Sequence, residues 1–351
     1  MDSSMIWEWI IKSVVILLGS TAGFAYMTLY ERRALAKIQA RIGPNRVGPE
    51  GFLQPVADGI KLIFKEELIP ARADKLIFIL APVITVLPAL IILAVVPVGG
   101  TINLFGRMVS LQLVDVNVGV LYIMAVTSIS VYGITLAGWS SNNKYALLGG
   151  LRSTAQMVSY EIAMGFCFLV PVLLAGSMSL NDIVLHQKNI WFIFLQPGAA
   201  LILFISMLAE TNRAPFDMPE AEQELTAGYH TEYSGMKFAL FFMAEYIKII
   251  AVSTIFSTLF LGGYYLPFQG ALEHFFAGVS WLACINTVLP YLGPVILFIK
   301  VILVLFVFIW IRATWPRIRY DRLMSFGWKI TFPLALLSVL VTAVAVLLVG
   351  G

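Results

Sequence analysis

Cysteine is almost absent from this chain: 351 residues contain two, Cys167 and Cys284. Two thiols cannot supply the four thiolates of an ordinary iron–sulfur cluster, and they make no disulfide framework. Histidine is nearly as scarce. His186, His230 and His274 all fall between the apolar runs, so no pair on facing helices can hold a haem. The chain also lacks G-x-G-x-x-G, Walker A, H-E-x-x-H and C-x-x-C patterns, which removes the common nucleotide, zinc and thiol-redox chemistries. It contains no visible redox centre. Charge is the third scarcity, at 12% of residues against a hydrophobic share of 60%. Soluble domains carry about 25% charged and about 45–50% apolar residues. The net charge of +3 is uninformative in a chain that lipid will mostly cover, and no nucleic-acid partner is expected.

What is present is long apolar runs. Reading for stretches of about 18 or more residues gives eight, near 6–29, 76–98, 116–139, 154–177, 190–209, 238–261, 290–311 and 330–349. The pattern predicts an all-α polytopic membrane protein, one transmembrane domain over 1–351. The first run is too long for a signal peptide and carries acid (Asp2, Glu8) in place of a basic start, so it is read as retained. Lysine and arginine set the orientation. Eighteen lie in the loops after runs one, three, five and seven, against three (Lys12, Arg107, Lys188) on the other side. The odd-numbered loops are therefore expected in the cytoplasm and both termini outside. Residues 263–289 receive no role.

Two cytoplasmic loops stand out. Residues 31–75 far exceed a simple connector of about 4–6 residues. The turn-formers from Gly43 to Gly51 exclude helix there. After them, Phe52, Leu53, Val56, Ile60, Ile63 and Phe64 recur at helical spacing between charged residues, predicting an amphipathic interfacial helix of about four turns. It either anchors the loop at the surface or forms the wall of a pocket where a lipid-soluble molecule meets charge. The second loop, 210–237, is acidic. Glu210, Asp217, Glu220, Glu222 and Glu224 crowd around one arginine, Arg213, and Pro219 suits a helix start. Carboxylates so close repel, and some should hold protons near neutrality. A solvated acidic cap is the plainer reading.

Glu161, Glu245, Lys248 and Lys300 lie inside apolar runs, where each ionised group costs about 2.5–3.5 kcal/mol on insertion scales. Counting from the cytoplasmic ends, Glu161 and Glu245 sit about 10 Å deep at 1.5 Å per residue. Glu210 closes the same end of run five, and Lys300 falls near the midplane. Three carboxylates from three helices would then form one layer, as in a path for protons.

These residues resemble a known family. Glu31-Arg32-Arg33, the run Gly43–Pro49, the stretch from Leu53 to Lys61, Lys65-Glu66, Ser159-Tyr160-Glu161, the stretch from Ala209 to Asp217, the stretch from Glu220 to Leu225 and the stretch from Phe241 to Tyr246 are similar, in order, to the H subunit of respiratory complex I. That complex is the proton-pumping NADH:quinone oxidoreductase, whose mitochondrial counterpart is NADH dehydrogenase subunit 1. The resemblance implies a quinone tunnel (ubiquinone or menaquinone) lined or supported by Glu31, Arg32, Arg41, Asp58, Lys65, Glu66 and Phe216. It implies proton coupling through Glu161, Glu210, Arg213, Asp217, Glu220, Glu222, Glu224, Glu245 and Lys248. FMN and iron–sulfur clusters would belong to partner subunits of the hydrophilic arm, with small and antiporter-like subunits beside the chain in a bacterial inner membrane. Related plastid or archaeal complexes contain similar subunits. A stand-alone cation or proton transporter is a rival that leaves the large basic loop unexplained, and a bare membrane anchor leaves the intramembrane glutamates unexplained.

Overall fold

A computed structural model of the chain describes residues 3–104, 107–218, 228–270, 273 and 283–350. Its helices are α1 (Ser3–Ile38), α2 (Gln54–Phe64), α3 (Lys75–Ile92), α4 (Gly119–Ser140), α5 (Lys144–Ala175), α6 (Leu180–His186), α7 (Phe192–Leu195), α8 (Pro197–Glu210), α9 (Gly235–Phe260), α10 (Ala283–Thr314), α11 (Tyr320–Phe326) and α12 (Phe332–Gly350). Seven described stretches are long and apolar enough to cross a membrane, α11 and α12 forming one of them through a π-helical turn at Gly327–Thr331. The chain is an all-α polytopic membrane protein. Its outward-facing side chains include Ile11, Val15, Leu18, Leu303, Leu340 and Leu347, as lipid requires.

The sequence predicts eight spans; the fifth, run 190–209, is not among these seven, because its helix is too short. Run 190–209 is broken at Gln196, where Pro197 offers no N–H and pushes the preceding residue out of helical conformation; Gln196 has φ −136°. One turn of helix and then the 14 residues of α8 result. By contrast α1 is longer, at 36 residues or about 54 Å against a core of about 30 Å. Glu31, Arg32 and Arg33 therefore ride on helix, not loop. A hairpin, β1 (Thr101–Leu104) with antiparallel β2 (Arg107–Ser110), occupies a connection for which the sequence pattern predicts no element.

α3 packs along α4, α4 along α5, and α9 along α3. Small residues let them approach: a Cβ on Gly133 of α4 would lie 2.2 Å from Thr85 Oγ1 of α3. Phe204 of α8 meets Phe256 of α9 and Phe308 of α10 edge to face, at 5.6 and 5.0 Å.

The odd-numbered loops meet at one end of the bundle. Lys237 pairs with Glu67 at 2.9 Å, Asn143 donates to Glu232 at 2.7 Å, and Ile318 N–H donates to Pro215 at 3.1 Å. The even-numbered connections meet at the other, where Val120 N–H donates to Met178 and Lys188 pairs with Glu273 at 2.6 Å. Loop one folds as the turn-formers dictate, with Gly48 and Gly51 at φ 72° and 78° before α2. α2 has about three turns; Val56, Ile60, Ile63 and Phe64 are exposed along it.

Candidate functional site

At the loop end of α1, Glu31 is buried and receives Arg312 from α10 and the Tyr246 hydroxyl from α9. Arg213, three residues beyond α8, reaches it at 3.7 Å and places Nε 2.5 Å from Glu245 of α9. Its guanidinium lies 4.4 Å from the Tyr246 ring centre, as planar arginine favours. Four segments far apart in sequence thus meet here, Arg213 lying between two carboxylates and Arg312 bringing in α10 through Glu31. A cavity of about 20 Å³ opens here, bordered by Met27, Glu31, Arg213 and Arg312.

One helical turn along α9 from Glu245, Lys248 pairs with the fully buried Glu210 at 2.6 Å and donates to Ser130 of α4 at 3.3 Å. Ser128, two residues earlier on α4, donates to Glu161 of α5, which lies within electrostatic reach of Glu210. A second cavity, of about 30 Å³, is lined by Glu210, Glu245, Lys248, Ser130 and His230. One water needs about 10–15 Å³. Glu210 Oε2 and His230 Nδ1 bond no protein atom here, which suits a hydrated pocket. His230, packed against Tyr229 and Phe241, has its pKa lowered to about 3 by burial and then by the Arg213 charge. It stays neutral at physiological pH.

The segment carrying Arg213 is fixed from α5. Gln156 Nε2 donates to the carbonyls of Ala209 and Phe216, both at 2.8 Å, and to Asn212 Oδ1 at 3.3 Å. Nearby, a Cβ on Gly149 would sit 2.6 Å from Gly228 Cα, so only glycine lets α5 touch the end of loop five.

The remaining sequence-derived candidates divide. Arg32 bonds Asp58 at 2.7 Å, which also receives Gln54 at 3.2 Å, tying α1 to α2. Arg41, Lys65 and Glu66 are exposed, and the Glu66 carbonyl accepts from Ser234 at 3.3 Å. Phe216 is buried beside Tyr160, 5.8 Å between ring centres, and faces α8 and α10 rather than Glu31. Asp217 follows it, half-buried. Glu220, Glu222 and Glu224 lie outside the described residues. The predicted layer of Glu210, Glu161 and Glu245 is two linked groups: Glu161 with Glu210, and Glu245 across the second cavity on Arg213. Lys300 stands apart from both. Its ammonium donates to the carbonyls of Leu261, Gly263 and Tyr265 at 2.6, 2.7 and 2.5 Å, under the Trp191 ring at 4.3 Å. It caps α9 at the far end of the bundle. Sequence reasoning missed Arg312, Tyr246, Gln156, His230 and the two serines. Of these, only the serines left a trace, as hydroxyls two apart in an apolar run.

Among the described residues no cluster of metal-ligating side chains occurs. A family model described as NADH dehydrogenase matches residues 11–343. The H subunit of the NADH-quinone oxidoreductase of Protochlamydia amoebophila is 51% identical over 319 residues, covering 91% of each chain. The corresponding protein of Thermus thermophilus, named as subunit 8 of its NADH-quinone oxidoreductase, is 49% identical over 343 residues, 97% of this chain and 88% of its own. An H subunit of Geobacter metallireducens is 51% identical over 318 residues, 91% and 90% of the two chains. Coverage and identity of this order show that the chain belongs to the H-subunit family of the NADH-quinone oxidoreductases, as one component of a multi-subunit enzyme.

Proposed function

We propose that the chain forms much of the quinone tunnel of its complex and passes the charge change of quinone reduction to intramembrane glutamates. The observation that carries this is the sharing of Arg213 between Glu31 and Glu245, one turn of α9 from the Lys248–Glu210 pair. A buried ion loses several kcal/mol of compensation when one partner is neutralised. A proton gained or lost at Glu31 therefore shifts Arg213 toward or away from Glu245. Lys248 then redistributes between Glu210 and Ser130, and Glu161 is the next acid in reach.

The quinone enters beside α2, whose apolar face lies on the bilayer, with Arg32, Arg41, Asp58, Lys65 and Glu66 around the entrance. Ubiquinone and menaquinone both suit such a wall. Electrons reach the quinone from an iron–sulfur cluster in a soluble neighbour, and FMN is held by another partner. Loops 31–75 and 210–237 face the cytoplasm from a bacterial inner membrane, with both termini outside; the basic residues on the odd loops support that orientation.

The test is Glu161→Gln in the assembled complex, reconstituted in vesicles. NADH-driven proton uptake per quinone reduced should fall severalfold while NADH oxidation by artificial acceptors persists. Unchanged quinone reduction and unchanged pumping would remove Glu161 from the path.

A further inference from the structure

We infer that the apolar groove between α8, α10 and α11 holds one acyl chain of an anionic phospholipid of the leaflet at the odd-loop end of the bundle. The groove encloses about 660 Å³, and every residue lining it is apolar or aromatic. That volume falls in the range of pockets that bury a small ligand, about 300–1,000 Å³. It is far larger than the two polar cavities and runs along a different side of α8 from the Glu210 carboxylate. From Pro197 to Leu208 it follows α8 for about 16 Å at 1.5 Å per residue, close to half of a hydrocarbon core of about 30 Å. A groove of one leaflet's depth suits a chain that enters from one headgroup layer.

The mouth names the headgroup. Trp315 and Ile318 close the groove at the odd-loop end, and Trp315 is exposed there, where indoles favour the interface. Arg317 and Arg319 flank Ile318. Phe326 lines the groove from α11, and Arg322, one i, i+4 step before it, shares its face. Arg319 and Arg322 are both exposed. Among the described residues the opposing charges are Asp321, 3.0 Å from Arg319 and also exposed, and Asp217, which follows the lining Phe216. Three arginines thus face two aspartates among the described residues, so the rim keeps a net positive charge, and its guanidiniums can pair a phosphate by parallel N–H donors. A neutral quinone tail would fill the same apolar space without using the arginines.

The test uses the complete complex in vesicles containing phosphatidylglycerol or phosphatidylcholine with a diazirine in the acyl chain, and maps cross-links on this chain by mass spectrometry. Phosphatidylglycerol should label α8 and α10 groove residues several times more than phosphatidylcholine. Arg319→Gln with Arg322→Gln should erase that preference, at about fivefold per arginine, and both changes are at exposed positions that folding tolerates. Val307→Trp should block labelling by either lipid. Equal labelling by the two lipids overturns the inference, as does no labelling by either, the outcome if a partner helix covers the groove. Labelling by a diazirine-tailed quinone that added phosphatidylglycerol does not displace overturns it too.

Discussion

Two buried lysines, Lys248 and Lys300, solve one problem differently. Both are under 10% exposed in apolar helices. Lys248 faces a carboxylate and a hydroxyl, groups that can take or pass a proton. Lys300 faces three backbone carbonyls and an indole, which satisfy its donors but cannot accept its proton at any ordinary pH. Partners, more than burial, separate a residue that can take part in proton chemistry from one that fastens a turn. His230 is a third solution: it remains uncharged.

The comparison is sharpest if Lys248 is cut first. Lys248→Met leaves Glu210 buried without its cation, a loss of about 3–5 kcal/mol for a charged orphan. Quinone-linked proton pumping should fall by more than about tenfold, the equivalent of about 1.4 kcal/mol on the coupled step. Adding Glu210→Gln should restore thermal stability of the complex but not pumping, a split read by a double-mutant cycle on melting temperature and proton uptake. Lys300→Met should instead cost about 1–3 kcal/mol from carbonyls left without donors. That loss should appear as a lower melting temperature, with protons pumped per quinone unchanged in the complex that survives. A lowered pumping ratio would break the distinction between the two lysines.

His230 gives a pH test. Its folded pKa of about 3 lies below the unfolded value of about 6.5. Its neutral burial therefore stabilises fully above about pH 6.5, and that contribution declines as pH falls toward about 3, by about 1.4 kcal/mol per unit in the steep part. His230→Asn should flatten the pH dependence of melting between about pH 6.5 and about pH 5. The smallest effect belongs to the odd-loop surface. Lys237→Gln, which breaks the Lys237–Glu67 pair, should change melting by no more than about 1 kcal/mol equivalent and leave pumping intact.

The meeting of the odd-numbered loops at one end and the gathering of acids beneath them were legible because scarce charge in an apolar chain has few places to go. Glu161, Glu210, Glu245 and Lys248 stood out against their neighbours for that reason. The break at Pro197 was legible in principle from proline chemistry, yet the run of apolar residues around it masked the signal. The extension of α1 through Glu31 was not, since a polar stretch after a span reads equally well as loop. Pairings such as Arg213 with Glu31 depend on how a helix and a loop about 180 positions apart pack, and no periodicity carries that. The same holds for the caging of Lys300, whose partners are backbone atoms of a turn. Phe216 was grouped with the tunnel residues by its motif, and no periodicity says that its side chain lines the apolar groove between α8, α10 and α11.

The grip of Gln156 on loop five has a mechanical meaning. One amide nitrogen ties both ends of the 209–216 segment, so the segment cannot lengthen or slide as a flexible tether would. Arg213 is carried inside that tied segment, between two acids. For the coupling proposed above, the two acids on either side of Arg213 mark two stops, where a slack loop would let a small displacement near Glu31 dissipate.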